Sequence, residues 1–403
     1  MKNVNYKQIN TIYIGDNLDI MQSKSFSIYK NSIKMIYIDP PYNTKAIKTY
    51  NDNLDSIDWK QFMEPRIRLS KEYLTEEGCI FISIDDNEYV NLKSICDNIF
   101  GKNNFVGNFI TYQALRSNSK HINTIHEYVL CYAKNKKLLK EFKIRRIDKP
   151  EEKYIIDGIY KDINKIITKD GIDIAKKQIK NIIVEYCNKY NISWLKNYNN
   201  LDEQGRVYFA MDLSTPSEPR EVNIKSINLY LKPLATRGWT SDDKFIELYN
   251  KGLLVFKGNR PYEKHYLEDA CDNVVSILRF FSRNGTNDLK KLDLYNIFDT
   301  PKPVELIKFL IKIATDNNDI ILDFFAGSGT TAQAVYEVNK ERKSSNSYIL
   351  IQLPEIINKK TVVYKECLKN GIEPLVSNVL QHRLKRYLEI NNKTIDYKLV
   401  NVN

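Results

Sequence analysis

The tetrapeptide Asp39-Pro40-Pro41-Tyr42 follows the apolar run Met35-Ile36-Tyr37-Ile38 and leads into Asn43 and Thr44. This pattern predicts a strand that stops on a carboxylate, a stiff turn and an aromatic ring. Consecutive prolines hold φ near about −65° and remove two backbone donors, so the Pro40 carbonyl stays outside any helix or sheet ladder. That carbonyl and the Asp39 carboxylate make a pair of acceptors. An exocyclic amino group on a nucleobase offers two N–H donors to such a pair, and Tyr42 offers a flat face on which the ring can stack. Asp-Pro alone is equally an ordinary strand-ending turn. The second proline, the tyrosine and the preceding strand favour the chemical reading.

A second constellation is Asp319-Ile320-Ile321-Leu322-Asp323-Phe324-Phe325-Ala326-Gly327-Ser328-Gly329-Thr330-Thr331. An apolar strand runs directly into Gly-x-Gly, and Ala332, Val335 and Val338 continue as a helix. The glycines permit positive φ and close backbone approach, and the helix N-terminus offers unpaired N–H groups to a carboxylate. A dinucleotide site shares the Gly-x-Gly but needs a third glycine at its pyrophosphate turn, and none stands there.

The elements that must position these groups read as strands alternating with helices. Thr11–Ile14 forms a strand that ends at Gly15-Asp16-Asn17, and a short helix over 18–29 returns the chain to the strand before Asp39, a right-handed βαβ unit. Asp58 caps a helix through Trp59, Phe62, Met63 and Ile67 that ends at Glu77-Gly78, and Cys79–Ile84 is a near-continuous apolar strand of the kind buried on both faces. Val90, Ile95 and Ile99 mark a helix, and Phe105–Tyr112 and Tyr128–Tyr132 two more strands, with His126 as a hydrogen-bonding residue at a strand start. From about Lys134 the alternation fades. A basic run to Arg146 leads to an amphipathic helix at Ile172, Ala175, Ile179, Ile182, Ile183 and Tyr186, followed by short apolar pieces around Trp239. The prediction is an inserted mixed α+β domain over 135–287, between a first half at 1–134 and a second at 288–403. Tyr348–Leu353 forms the last strand, and helices through Tyr364, Leu368, Leu380 and Leu384 close the chain.

A length of 403 residues with 42% hydrophobic content suffices for a full α/β domain and a second one. The net charge of +11 favours a polyanionic partner, although lysine-rich surfaces also serve solubility alone. Arg116, Lys120, Arg206, Arg237 and Arg260 are the cations expected to meet nucleic acid. The six cysteines are scattered and the four histidines lack ligand spacing, so reduced thiols and no metal site are expected. The polar N-terminus and the lack of a long apolar run point away from secretion and membrane insertion, toward a bacterial-type cytoplasm.

Taken together, these motifs resemble the β-class amino-methyltransferases, which act on adenine N6 or cytosine N4; aspartate in first place leans toward adenine. Asp-x-Phe-x-Gly-x-Gly resembles their S-adenosylmethionine loop, and Thr300-Pro301-Lys302-Pro303 resembles the segment that closes over the methionine end of that cofactor. The match is nearest to the modification subunits of type III restriction systems and covers about Thr11 to Glu355, including the stretches at His126-Glu127-Tyr128 and Gly238-Trp239. The resemblance implies a Rossmann-like, doubly wound sheet in circular permutation, with the break between strands two and three and a target-recognition domain inserted. Asp39, Pro40, Pro41 and Tyr42 are the implied catalytic residues. Asp16, Thr300, Lys302, Pro303, Asp323, Phe325, Gly327, Ser328, Gly329, Thr330 and Gln352 are the implied cofactor contacts, with Gln352 standing where the family carries an acidic ribose ligand. Implied partners are double-stranded DNA, a second copy of the chain and a restriction subunit. Cytosine N4 or RNA methylation, and a DNA-binding specificity subunit for a partner nuclease, stay open at this level.

Overall fold

The computed structural model of the chain describes residues 9–44, 56–113 and 120–402. They divide into two compact units, one formed by the described residues up to Phe142 together with those from Val274 onward, the other of Lys143–Asn273.

The first unit is built on nine strands: β1 (Asn10–Ile14), β2 (Ile33–Ile38), β3 (Leu74–Ile84), β4 (Phe105–Tyr112), β5 (His126–Ala133), β6 (Ile277–Phe281), β7 (Ile320–Asp323), β8 (Ser347–Gln352) and β9 (Tyr397–Asn401). Their order across the sheet is β6-β4-β5-β3-β2-β7-β8-β1-β9. Every pairing is parallel except those of β5, which runs antiparallel to β3 and β4. Continuous apolar runs make the central strands because both faces are covered. Ile36, Ile38, Ile80 and Ile82 join a core with Trp59, Met63, Ile67 and Leu92 from helices Ser56–Tyr73 and Tyr89–Phe100. With a strand's period of two, Phe81 turns to the opposite face, where it packs on Phe109, and Phe109 in turn meets Phe309 of helix Val304–Ala314.

β2 and β7 lie side by side, yet the chain leaves them toward opposite edges, β2 to β3 and β7 to β8. Their carboxyl ends therefore open a crevice at the point where the winding reverses. This is the predicted doubly wound, permuted order, with β7 and β8 as strands one and two and β1 to β5 as the remaining five. Two edge strands were not predicted. β6 extends the sheet beside β4, and β9 covers β1, where the Val402 amide donates to the Ile14 carbonyl at 2.9 Å. The helix after the Asp39 loop also stops earlier than predicted, at Tyr73, and β3 begins at once with Leu74.

In the second unit, helices Pro150–Asp170 and Ile172–Tyr190 pack through Ile155, Ile159 and Ile163 against Ala175, Ile179 and Ile183. Strands 254–257, 260–266, 207–212 and 200–201 form an antiparallel sheet, and Trp239, Phe245 and Leu248 centre a small core. The unit is narrower than the predicted 135–287. Phe142 packs on Phe81, and Ile277–Phe281 supplies β6, so both flanks belong to the first unit. The first helix of the pair was not predicted because Glu151, Glu152, Lys153 and Asp157 crowd the apolar stripe. Among the described residues no helix is long and apolar enough to cross a membrane.

Candidate active site

The carboxyl ends of β1, β2, β7 and β8 deliver Asp16, Asp39, Asp323 and Gln352 to one cavity of about 290 Å³. Phe62, Phe298 and Phe325 give it apolar walls, and Thr300, Lys302, Gly327, Ser328 and Thr330 are among its other lining residues. Parallel pairing of Ile321 and Leu322 with Met35 and Ile36 is what brings the two distant motifs together.

On the β2 side, Asp39 and Pro41 line the cavity and Tyr42 is buried. The Trp59 indole N–H donates to the Pro41 carbonyl at 2.7 Å, while the Pro40 carbonyl accepts no hydrogen bond from any described residue. Pro40 itself is buried. The Tyr42 hydroxyl donates to Glu127 Oε2 at 3.1 Å, and Gln113 Nε2 donates to Glu127 Oε1 at 3.0 Å. Lys302 was predicted to close over the cofactor. Its Nζ lies 3.0 Å from Asp39 Oδ1, 3.2 Å from Glu127 Oε2 and 4.8 Å from the Tyr42 ring centre. Asp39 Oδ1 is thus buried beside a cation at hydrogen-bonding distance. Burial holds the Asp39 carboxyl above the usual carboxylate range; Lys302 opposes that shift and Glu127 adds to it. Burial also pulls the Lys302 ammonium down, but Asp39 and Glu127 outweigh it and hold the group above the usual lysine value.

On the β7 side, burial pushes Asp323 up to about 7, although the Thr331 hydroxyl at 2.5 Å and the Phe325 amide at 3.0 Å both donate to it. The Gly327 amide donates to Gln352 Oε1 at 2.7 Å, so Gln352 shapes the loop as well as lining the cavity. Gly329 has φ of 82°, and a Cβ there would meet Leu380 at 3.1 Å. The glycine is thus set by a left-handed turn and by the packing of helix Val376–Ile390. Helix Thr330–Arg342 starts without a side-chain cap, leaving its first amides unspent. Asp16 is engaged within the fold: it caps helix Asn17–Gln22 and pairs with Arg66 Nη2 at 2.9 Å. Pro303 is outside the cavity walls and opens helix Val304–Ala314. The Thr300–Lys302 stretch passes so close to Gly285 that the Pro301 carbonyl occupies the space of any Cβ.

The predicted nucleic-acid cations fare differently. Arg116 lies outside the described residues, and Lys120 is exposed. In the second unit, Arg206 is paired with Asp202 and lies over the Tyr266 ring, Arg260 is paired with Asp212 at 2.8 Å, and Arg237 holds the Ser214 carbonyl and hydroxyl. These three are engaged in shaping their own unit.

Arg383 was missed altogether. It is fully buried, and its Nη1 donates to Ser328 Oγ and Thr330 Oγ1, both at 2.8 Å, while Nε and Nη2 donate to Gln333 Oε1. Burial lowers the guanidinium to about 10, and no described residue forms an ion pair with it. The signal in the sequence is a charge on the apolar stripe Leu380-x-x-Arg383-Leu384-x-x-Tyr387. Glu127 is similar: a carboxylate inside a strand whose later residues are all apolar.

A profile of the DNA methylase family matches residues 33–359, from the start of β2 to beyond β8. The chain belongs to that family. The EcoP15I Mod subunit of a type III restriction-modification enzyme from Escherichia coli is 30% identical over 87% of this chain, and the EcoPI Mod subunit of Escherichia phage P1 is 31% identical over 88%. This chain spans 59% of the length of each. Type II methyltransferase M.KpnI of Klebsiella pneumoniae is 28% identical, over 97% of this chain and 90% of its own length. The family match runs through the inserted unit, so both motifs and the insertion lie within it.

Proposed function

We propose that this chain is a site-specific DNA methyltransferase acting on the N6 amino group of adenine in duplex DNA, with S-adenosylmethionine as methyl donor. The observation that carries the reading is the convergence of Asp39 and the loop after Asp323 on one cavity at the switch between β2 and β7. The cavity fits the cofactor. Uncapped amides at Thr330, with a buried guanidinium behind the Ser328 and Thr330 hydroxyls, suit the carboxylate of its methionine end. Phe62, Phe298 and Phe325 give apolar walls for a flat base. Bound there, the cofactor supplies an electrophilic methyl group.

The chain's own part in transfer is played by acceptors. An aromatic amine is a poor nucleophile because its lone pair is delocalised into the ring. Asp39 and the Pro40 carbonyl accept its two N–H groups, favour sp³ geometry and stabilise the positive charge that grows on nitrogen. In duplex DNA the base is first extruded, and Tyr42, buried with its hydroxyl fixed by Glu127, marks where its ring is received. Aspartate at the head of the tetrapeptide favours adenine over cytosine. The second unit, Lys143–Asn273, is the reader of target sequence, and a restriction subunit is the partner that relatives named as Mod subunits point to.

Long-read sequencing of DNA from a host expressing the protein tests this in one step. N6-methyladenine at one sequence context is expected. N4-methylcytosine would transfer the proposal to the other amino base, and unmodified DNA from a host making folded protein would overturn it.

A further inference from the structure

Lys302 lines the cavity, and its ammonium lies against Asp39 and Glu127. Asp39, Glu127 and Lys302 are buried together, with the amine within 3.2 Å of both carboxylates. Two carboxylates packed this closely cannot both stay charged without a cation. The amine supplies that charge 3.0 Å from the enclosed Asp39 Oδ1. Glu127 has its own donors, the Tyr42 hydroxyl and the Gln113 amide, which hold it in place.

We propose that Lys302 is a positioning residue of the transfer step: held 3.0 Å from Asp39 and 3.2 Å from Glu127, its ammonium keeps Asp39 a charged acceptor for the target's amino group. The inference rests on the amino-methyltransferase reading above.

The groups around Asp39 set the pH at which it ionises. They are the phenols of Tyr37 and Tyr42, the Glu127 carboxylate on β5, Asp323 at the end of β7, and Lys302. Lys302 alone favours the ionised form by its charge; Glu127 and Asp323 oppose it. Transfer requires Asp39 ionised, so activity rises with pH through the titration of this carboxyl. Removing the cation moves that rise to higher pH, and each unit of movement costs about tenfold in rate below it. Removing Glu127's charge moves it the opposite way. A purely structural role for either residue predicts loss at every pH and no displacement of the profile.

The test uses the full chain and unmethylated bulk DNA, with labelled methyl incorporation followed from about pH 5 to about pH 10, and calorimetric titration with S-adenosylmethionine alongside. Lys302→Met is expected to lose about tenfold or more at neutral pH, to recover as pH rises, and to bind the cofactor like wild type. Lys302→Arg should keep the wild-type profile. Glu127→Gln should displace the rise toward lower pH, and it keeps the proposal testable if Lys302→Met does not fold. Cofactor affinity lost in step with activity in Lys302→Met, or profiles that do not move in opposite directions, would overturn the inference. Wild-type protein that neither binds the cofactor nor methylates would instead overturn the function on which it rests.

Discussion

In the proposed methyl transfer, Asp39 must satisfy two opposing demands. It has to be buried enough that its charge is felt strongly by the reacting nitrogen, and burial is what drives a carboxylate to take up a proton. In the proposed reading Lys302 reconciles them, its ammonium 3.0 Å from Asp39 Oδ1 favouring the ionised form that burial and Glu127 oppose. Because the charge on nitrogen develops only in the transition state, loss of this acceptor acts on rate. Asp39→Ala is expected to lower methyl transfer by about a hundred- to a thousandfold, while calorimetry shows S-adenosylmethionine affinity retained. Parallel loss of both would make Asp39 structural. The carboxylate and its tetrapeptide are legible from residue order alone, since proline and strand end impose local geometry. The Lys302 contact is not, because Lys302 reaches Asp39 from a segment far along the chain.

At the scale of elements, the loop from Asp323 to Gly329 is held from two sides. Gln352 at the end of β8 takes the Gly327 amide, and helix Val376–Ile390 presses Leu380 against Gly329 and inserts Arg383 under Ser328 and Thr330. Gly-x-Gly looks like a demand of the ligand when read as a motif. In the fold, Gly329 answers first to a φ of 82° and to Leu380. Gly329→Val should therefore abolish S-adenosylmethionine binding in calorimetry and lower the melting temperature as well, the strain alone costing about 1–3 kcal/mol. Unchanged affinity would remove the loop from the site. The helix that performs this packing was predicted only as an amphipathic stretch; which neighbour its stripe meets is a tertiary fact.

For the whole molecule, the interrupting unit and the charge carry the predictions. Exchanging residues 143–273 for the corresponding unit of a related methylase should transfer the methylated sequence context, read by long-read sequencing. A folded, active chimera that keeps the original context would refute the assignment of target reading to that unit. The net charge of +11 leads to a second expectation. If the cationic surface neutralises at least about four phosphates, log K for duplex DNA falls with log salt at a slope of about −3.6 or steeper. A slope near about −1 in titrations over a range of salt would mean that the lysines are a solvated coat. Arg206 and Arg260 are not the residues to reverse in such work, since Asp202 and Asp212 already neutralise them. Lys120, exposed on the first unit, is the better choice.

What the sequence by itself determined is whatever short-range geometry decides: that apolar runs end at Asp39 and Asp323, that prolines and glycines come next, and that the strand–helix alternation breaks off in the middle of the chain. Each depends on a few neighbouring residues and on the periods of strand and helix. The permuted strand order came from the family resemblance. What only the tertiary structure decided is who meets whom. β6 and β9 join the sheet as edge strands, where pairing to one neighbour needs little apolar signal of its own. Arg383 and Glu127 are charges at positions where the pattern calls for apolar residues, and their purpose appears only with Ser328, Thr330, Tyr42 and Lys302 around them. A buried charge is tolerated only with its partners in place, and those partners come from distant segments that folding alone brings together.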